Sequence, residues 1–166
     1  MRGKGNLNMR RKDREITDPG RLKEILENSM VCRLAVQDQE GLYIVPMNFG
    51  YEWDKDGLKF YFHSAKEGRK LNAILENPQV CFEMDFQHRL IESDRVCGYS
   101  FSYQSMIGNG IATVVKDLEE KKKGLFLLMK HQTGKDFPIQ DEMADSVAVI
   151  RVAATSYTGK QHGPIE

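Results

Sequence analysis

Between Met30 and His63 apolar and polar residues alternate, and the runs are interrupted only by short polar turns at residues 38–41 and 54–57. Connections that short join antiparallel neighbours, because a parallel pair needs a crossover of a dozen residues or more. Hairpins are therefore predicted, with strands over residues 31–36, 42–51 and 58–63. The period of two returns at Val80, Phe82, Met84 and Phe86, in a long run over about 99–115, and over 146–153; a charged loop is expected at 87–95. Many short antiparallel strands with few helices point to a mainly β fold with helices, built as a small closed or partly closed barrel, since closure removes exposed edges.

Two helices are expected outside this pattern. Asp18-Pro19 supplies a cap followed by proline at the first helical position, with Leu22, Ile25 and Leu26 as the buried stripe and an end near Asn28-Ser29. Residues 117–132 carry a charged cluster leading into Leu125, Phe126, Leu128 and Met129. With 166 residues the chain makes one domain over residues 18–166, preceded by a basic arm, 1–17, that holds Arg2, Lys4, Arg10, Arg11, Lys12 and Arg14. A solvated tail, a strap over a second subunit and a nucleic-acid arm are all readings of that arm.

Lys plus Arg equals Asp plus Glu at 24 each, so no global field draws the protein to nucleic acid or membrane, and neither is expected as a partner. No apolar run spans a bilayer and no leader-like segment opens the chain; a cytoplasmic protein is expected. Cys32, Cys81 and Cys97 are too widely spaced for a disulfide framework or a zinc site and are expected as buried thiols. His63, His88, His131 and His162 form no ligand pair, so no metal is expected.

The stretch Phe62-His63-Ser64-Ala65-Lys66-Glu67-Gly68-Arg69-Lys70 carries the chemistry. Leu58, Phe60 and Phe62 alternate with Lys59, Tyr61 and His63, which sends His63 out on the face opposite the core. From Gly68 the spacing changes to Leu71, Ile74 and Leu75, a helix that stops at Asn77-Pro78. Its first turn holds Arg69 and Lys70, which oppose the positive end of the helix dipole unless an anion lies between them. A phosphorylated ligand satisfies that arrangement; solvated cations at an ordinary helix start are the alternative.

These pieces resemble the flavin-binding split-barrel family typified by pyridoxamine 5'-phosphate oxidase, and more closely its 5-nitroimidazole-resistance (Nim) branch. The resemblance rests on Val45-Pro46-Met47-Asn48-Phe49-Gly50-Tyr51, on the His63–Lys70 stretch, on Tyr103-Gln104-Ser105-Met106-Ile107-Gly108 and on Val147-Ala148-Val149-Ile150-Arg151. It implies a homodimer of six-stranded antiparallel split β-barrels with FMN, or FAD as the alternative, at the subunit interface. By position, His63, Ser64, Arg69 and Lys70 would surround the flavin phosphate and ribityl chain, with Phe62 beside them. Pro46, Met47 and Asn48 would lie along the isoalloxazine ring, and Ser105 would approach from the long strand.

The same resemblance implies an FMN-dependent oxidoreductase that reduces nitroaromatic, 5-nitroimidazole-type or related small molecules. His63 is the expected proton donor, because imidazole titrates near neutrality; its alternative is a neutral histidine that only hydrogen-bonds the cofactor. A non-catalytic flavin- or haem-binding sensor or carrier is the rival function.

Overall fold

The computed structural model describes residues 9–163, so the first eight residues of the basic arm lie outside the described residues. The order is β1 (Glu15–Ile16), α1 (Pro19–Asn28), β2 (Cys32–Asp38), β3 (Gly41–Met47), β4 (Gly50–Asp54), β5 (Gly57–Ser64), α2 (Arg69–Glu76), β6 (Gln79–Ile91), β7 (Ser100–Val114), α3 (Leu118–Thr133), α4 (Asp141–Ser146) and β8 (Ala148–His162). All strand pairs are antiparallel, as the turn spacing requires.

The sheet has eight strands where six were expected, and it is not closed. Its order is β3-β2-β6-β7-β8-β5-β4, with β1 paired to β8, so β3 and β4 are the two ends. Both extra strands have a physical origin. The expected run over 42–51 breaks after Met47, where Phe49 turns fully into the core, giving β3 and β4 as separate strands. The end of the arm pairs Glu15 with Lys160 and Ile16 with Gly159, burying Ile16.

Two strands also run further than their hydrophobic pattern. β6 continues through the expected loop to Ile91, past a bulge where Gln87 adopts φ +62°, and pairs Leu90 with Phe101 on a ribbon whose apolar residues are exposed. β8 reaches His162 because β7 offers it a partner along the whole length. Of the three cysteines only Cys32 is buried; Cys97 lies exposed in a short 3₁₀ turn, Val96–Gly98, outside the core.

The core is aromatic. Phe49, Phe60, Phe62 and Phe82 are fully buried, with Phe60 and Phe82 ring centroids 4.8 Å apart. Each such side chain contributes about 2–3 kcal/mol by leaving water. Helix α1 adds Leu22, Ile25 and Leu26, and α2 adds Leu71, Ala73 and Ile74. Helix α3 lies on the outer face of β4 and β5, so close that a Cβ on Gly50 would overlap the Leu127–Leu128 backbone. Tyr61, Val115 and Val149 form a second, smaller apolar cluster with Leu125, Leu127 and Val147.

Candidate functional site: the end of β5 and the start of α2

Strand β5 delivers two chemically different faces. Leu58, Phe60, Phe62 and Ser64 point inward, whereas His63 is exposed on the other face, opposite Val149 of β8. Strand β4 pairs only with residues 57–61, so Phe62, His63 and Ser64 have no strand neighbour on that side. Ser64 is buried and its hydroxyl donates to the Ala65 carbonyl at 2.7 Å. Thus His63 and Ser64, adjacent in sequence, do not share a face.

The end of β3 reaches the same place. Phe49 follows Met47 and Asn48 directly, and its ring centroid lies 6.4 Å from that of Phe62. Pro46 is exposed on the edge strand and Met47 is buried. Asn48 is occupied: its amide donates to the Met30 carbonyl and to Gln132 Oε1, both at 3.0 Å, which uses both of its donor hydrogens. Together with Gln132, which donates to the Met30 and Phe49 carbonyls, it stitches the β3–β4 link to the end of α3.

Helix α2 begins at Gly68, whose φ of +138° suits only glycine, and no side chain caps its first amides. Arg69 turns to the β2–β3 hairpin: Nε and Nη2 donate to the Asp38 carboxylate at 2.6 and 2.9 Å, Nη1 lies 3.3 Å from Glu40, and the guanidinium stacks 4.6 Å over Tyr43. That guanidinium holds the Asp38 carboxyl below the usual carboxylate range. An anion does offset Arg69, and the chain supplies it. Lys66 and half-buried Lys70 have no ion pair among the described residues.

Beside the helix start a cavity of about 570 Å³ is bounded by Lys66, Gly68, Asn72, Lys121, Val147 and Ala148. Lys121 is 9% exposed, and its ammonium is 3.6 Å from Asp145, a carboxylate that is itself solvated. The uncapped amides of α2, with Lys66 and Lys121 on the cavity wall and Lys70 in the first turn, favour an anionic group at this end of the barrel, against the one carboxylate in the lining, Glu67.

Ser105 stands apart. It sits on β7 opposite Asp85 and Lys160, three strands from β3, or about 14 Å at ordinary strand spacing. Within one chain the Phe49–Phe62 contact sets the Met47 end of β3 beside the end of β5, Arg69 docks on the opposite, hairpin end of β3, and Ser105 lies on β7 apart from both. Sequence reasoning missed Asp38, Tyr43 and Lys121. Asp38 and Tyr43 meet Arg69 only through the tertiary fold, and Lys121 reads as one charge in a solvated run.

The profile of the pyridoxamine 5'-phosphate oxidase family matches residues 18–161. The chain belongs to that family. Its fold also matches a Bacteroides thetaiotaomicron protein named for 5-nitroimidazole antibiotic resistance, at 34% identity and TM-score 0.76, over 89% of this chain and 86% of that one. At 17% identity it shares the fold of the flavocytochrome Anf3 from Azotobacter vinelandii, with TM-score 0.76 over 94% and 72% of the two chains. The FAD and heme binding protein from Mycobacterium smegmatis, also at 17% identity, gives 0.75 over 92% and 76%. No match was found among curated proteins. No helix among the described residues is long and apolar enough to cross a membrane.

Proposed function

We propose that this family member is a flavin-dependent oxidoreductase that works as a homodimer and reduces nitroaromatic or related small molecules. The observation that carries the reading is the start of α2: an uncapped helix end on a glycine, with Lys70 and Lys66 free of ion pairs among the described residues, which fits the phosphate of FMN or, alternatively, of FAD. When bound, the flavin supplies the two-electron exchange. The chain's own residues orient it: the Phe62–Ser64 edge and the Pro46–Met47 edge flank the ring, and exposed His63 is placed to hold or deliver a proton. The two Asn48 amide hydrogens fix the β3–β4 link, and its Oδ1 is left to accept a hydrogen bond from the ring.

Support for the dimer comes from the outer sheet face. Leu42, Ile44, Ile107 and Ile111 are 81%, 63%, 46% and 41% exposed, and they share that face with Ala35 and Cys81 through the strand register. Covering it with a second copy would bury apolar surface and place a second copy's Ser105 within reach of a flavin at the interface. The substrate class is suggested by the name of the 34%-identical relative.

The visible spectrum of the purified protein tests the proposal. Flavin bands that bleach with dithionite and recover on adding a nitroimidazole are expected, and colourless protein that gains no melting temperature from FMN overturns it. A second reading, a flavin or haem carrier, is favoured by the shared fold with Anf3 and the FAD and heme binding protein, and by the exposure of the His63 imidazole; a Soret band would select it. With flavin retained, His63→Ala is expected to lower turnover of the nitro substrate about a hundredfold if His63 is the acid; unchanged turnover assigns it to binding alone.

A further inference from the structure

The cavity beside the α2 start holds about 570 Å³, a volume that suits an organic group rather than a phosphate alone. One side of α2 forms one wall: Gly68, Asn72 and Leu75 follow at spacings of four and three and all line the cavity. The other wall comes from the end of β7, the first turn of α3 and the start of β8, and includes Val115, Lys121 and Val147.

Three side chains on these walls have no role within the chain. Leu75 is 70% exposed, although Leu71 and Ile74 of the same helix are buried. The Asn72 side-chain amide makes no hydrogen bond among the described residues. Lys121 is nine-tenths buried, yet its ammonium makes no hydrogen bond among the described residues, because Asp145 stands 3.6 Å away and is itself largely solvated.

Each of the three calls for a different part of a guest. A buried ammonium without a hydrogen bond is costly, and a phosphate oxygen would satisfy it. Leu75 and the apolar Val115 and Val147 offer surface to a ring. An asparagine amide presents a donor and an acceptor side by side, which matches the amino group and adjacent ring nitrogen of adenine. Lys66 and Lys121 outnumber Glu67 in the lining, so the walls also favour negative charge.

We propose that this cavity receives the adenylate half of FAD, which makes FAD rather than FMN the flavin of this protein. The proposal rests on the assignment of the α2 start to the flavin phosphate. Lys121 holds the second phosphate of the pyrophosphate, the adenine ring packs on Leu75, and Asn72 pairs with its amino edge.

Calorimetric titration of FMN and of FAD into flavin-free protein tests this. FAD is expected to bind about tenfold or more tighter than FMN, the gain from a charge-assisted hydrogen bond and a packed ring. Lys121→Met keeps the buried stem and removes the charge, and it is expected to lower that FAD preference about tenfold. Leu75→Ala, at an exposed position that the core does not need, is expected to lower it about threefold. FMN binding as tightly as FAD, or a preference unchanged in either variant, would overturn the inference while leaving the phosphate assignment standing. Failure of both flavins to bind would instead overturn the phosphate assignment, and this inference with it.

Discussion

Helices α2 and α3 belong to the same chain and obey opposite rules. At α3, Asp117 accepts the Glu120 amide at 2.8 Å, Glu119 and Glu120 occupy the first turn, Lys130 and His131 the last, and Gly134 closes the helix at φ +72°. The cap, the first-turn carboxylates, Lys130 and the closing glycine all complement the backbone. At α2 there is no side-chain cap, Arg69 and Lys70 stand in the first turn, and Glu76 ends the last without a basic residue. Asp38 offsets Arg69, which leaves Lys70 as the first-turn cation that opposes the helix dipole. A chain that can build a well-capped helix has left one uncapped at the proposed phosphate site, and such local departures are characteristic of functional sites.

If that contrast reflects ligand binding, charge removal should act differently at the two helices. Arg69→Ala with Lys70→Ala is expected to lower the flavin that copurifies by about tenfold or more, read as visible absorbance per mole of protein. The matched control, Lys122→Ala with Lys123→Ala on α3, should leave it unchanged; equal loss from both pairs would mean that net charge rather than position is responsible. Removing the α3 cap with Asp117→Ala should cost about 1 kcal/mol of stability, a fall of about 2–4 °C in Tm, with no change in flavin content. A smaller effect is expected from Asp38→Asn. By releasing Arg69 it should tighten flavin about threefold if the guanidinium also serves the phosphate, and weakened binding would show that Asp38 orients Arg69 instead.

The smallest expected effect concerns His131 at the far end of α3. Although a helix C-terminus favours a cation, burial dominates and lowers its pKa from 6.5, against the opposing hydrogen bond to Ser29. The folded state therefore binds its proton less readily than the unfolded chain, so this contribution is complete above pH 6.5 and is lost as the pH falls below it. Urea midpoints should drop between neutral and mildly acidic pH, and His131→Gln should flatten that slope; a slope unchanged by the substitution would assign it to other groups.

Much of this was legible in the sequence because it is local. Asp18-Pro19 opens α1 where the cap and proline require, and the Leu71–Ile74 stripe marks α2. The alternation through Leu58, Phe60 and Phe62 sends His63 outward, as observed. What escaped is tertiary. The break at Asn48 depends on Gln132, 84 residues away, and the bulge at Gln87 lets a polar segment continue a ladder that its composition does not announce. The partner of Arg69 is 31 residues upstream in a turn, where an aspartate is unremarkable by itself. Hydrophobic period carries no information about such contacts.

The most direct measurement is calorimetric titration of FMN into flavin-free protein, wild type against the Arg69→Ala, Lys70→Ala variant, at low and high salt. Wild-type affinity should fall with salt, and the variant should bind about tenfold or more weakly with a reduced salt dependence. Equal affinities for the two proteins, with the same response to salt, would contradict the assignment of the α2 start as the phosphate site.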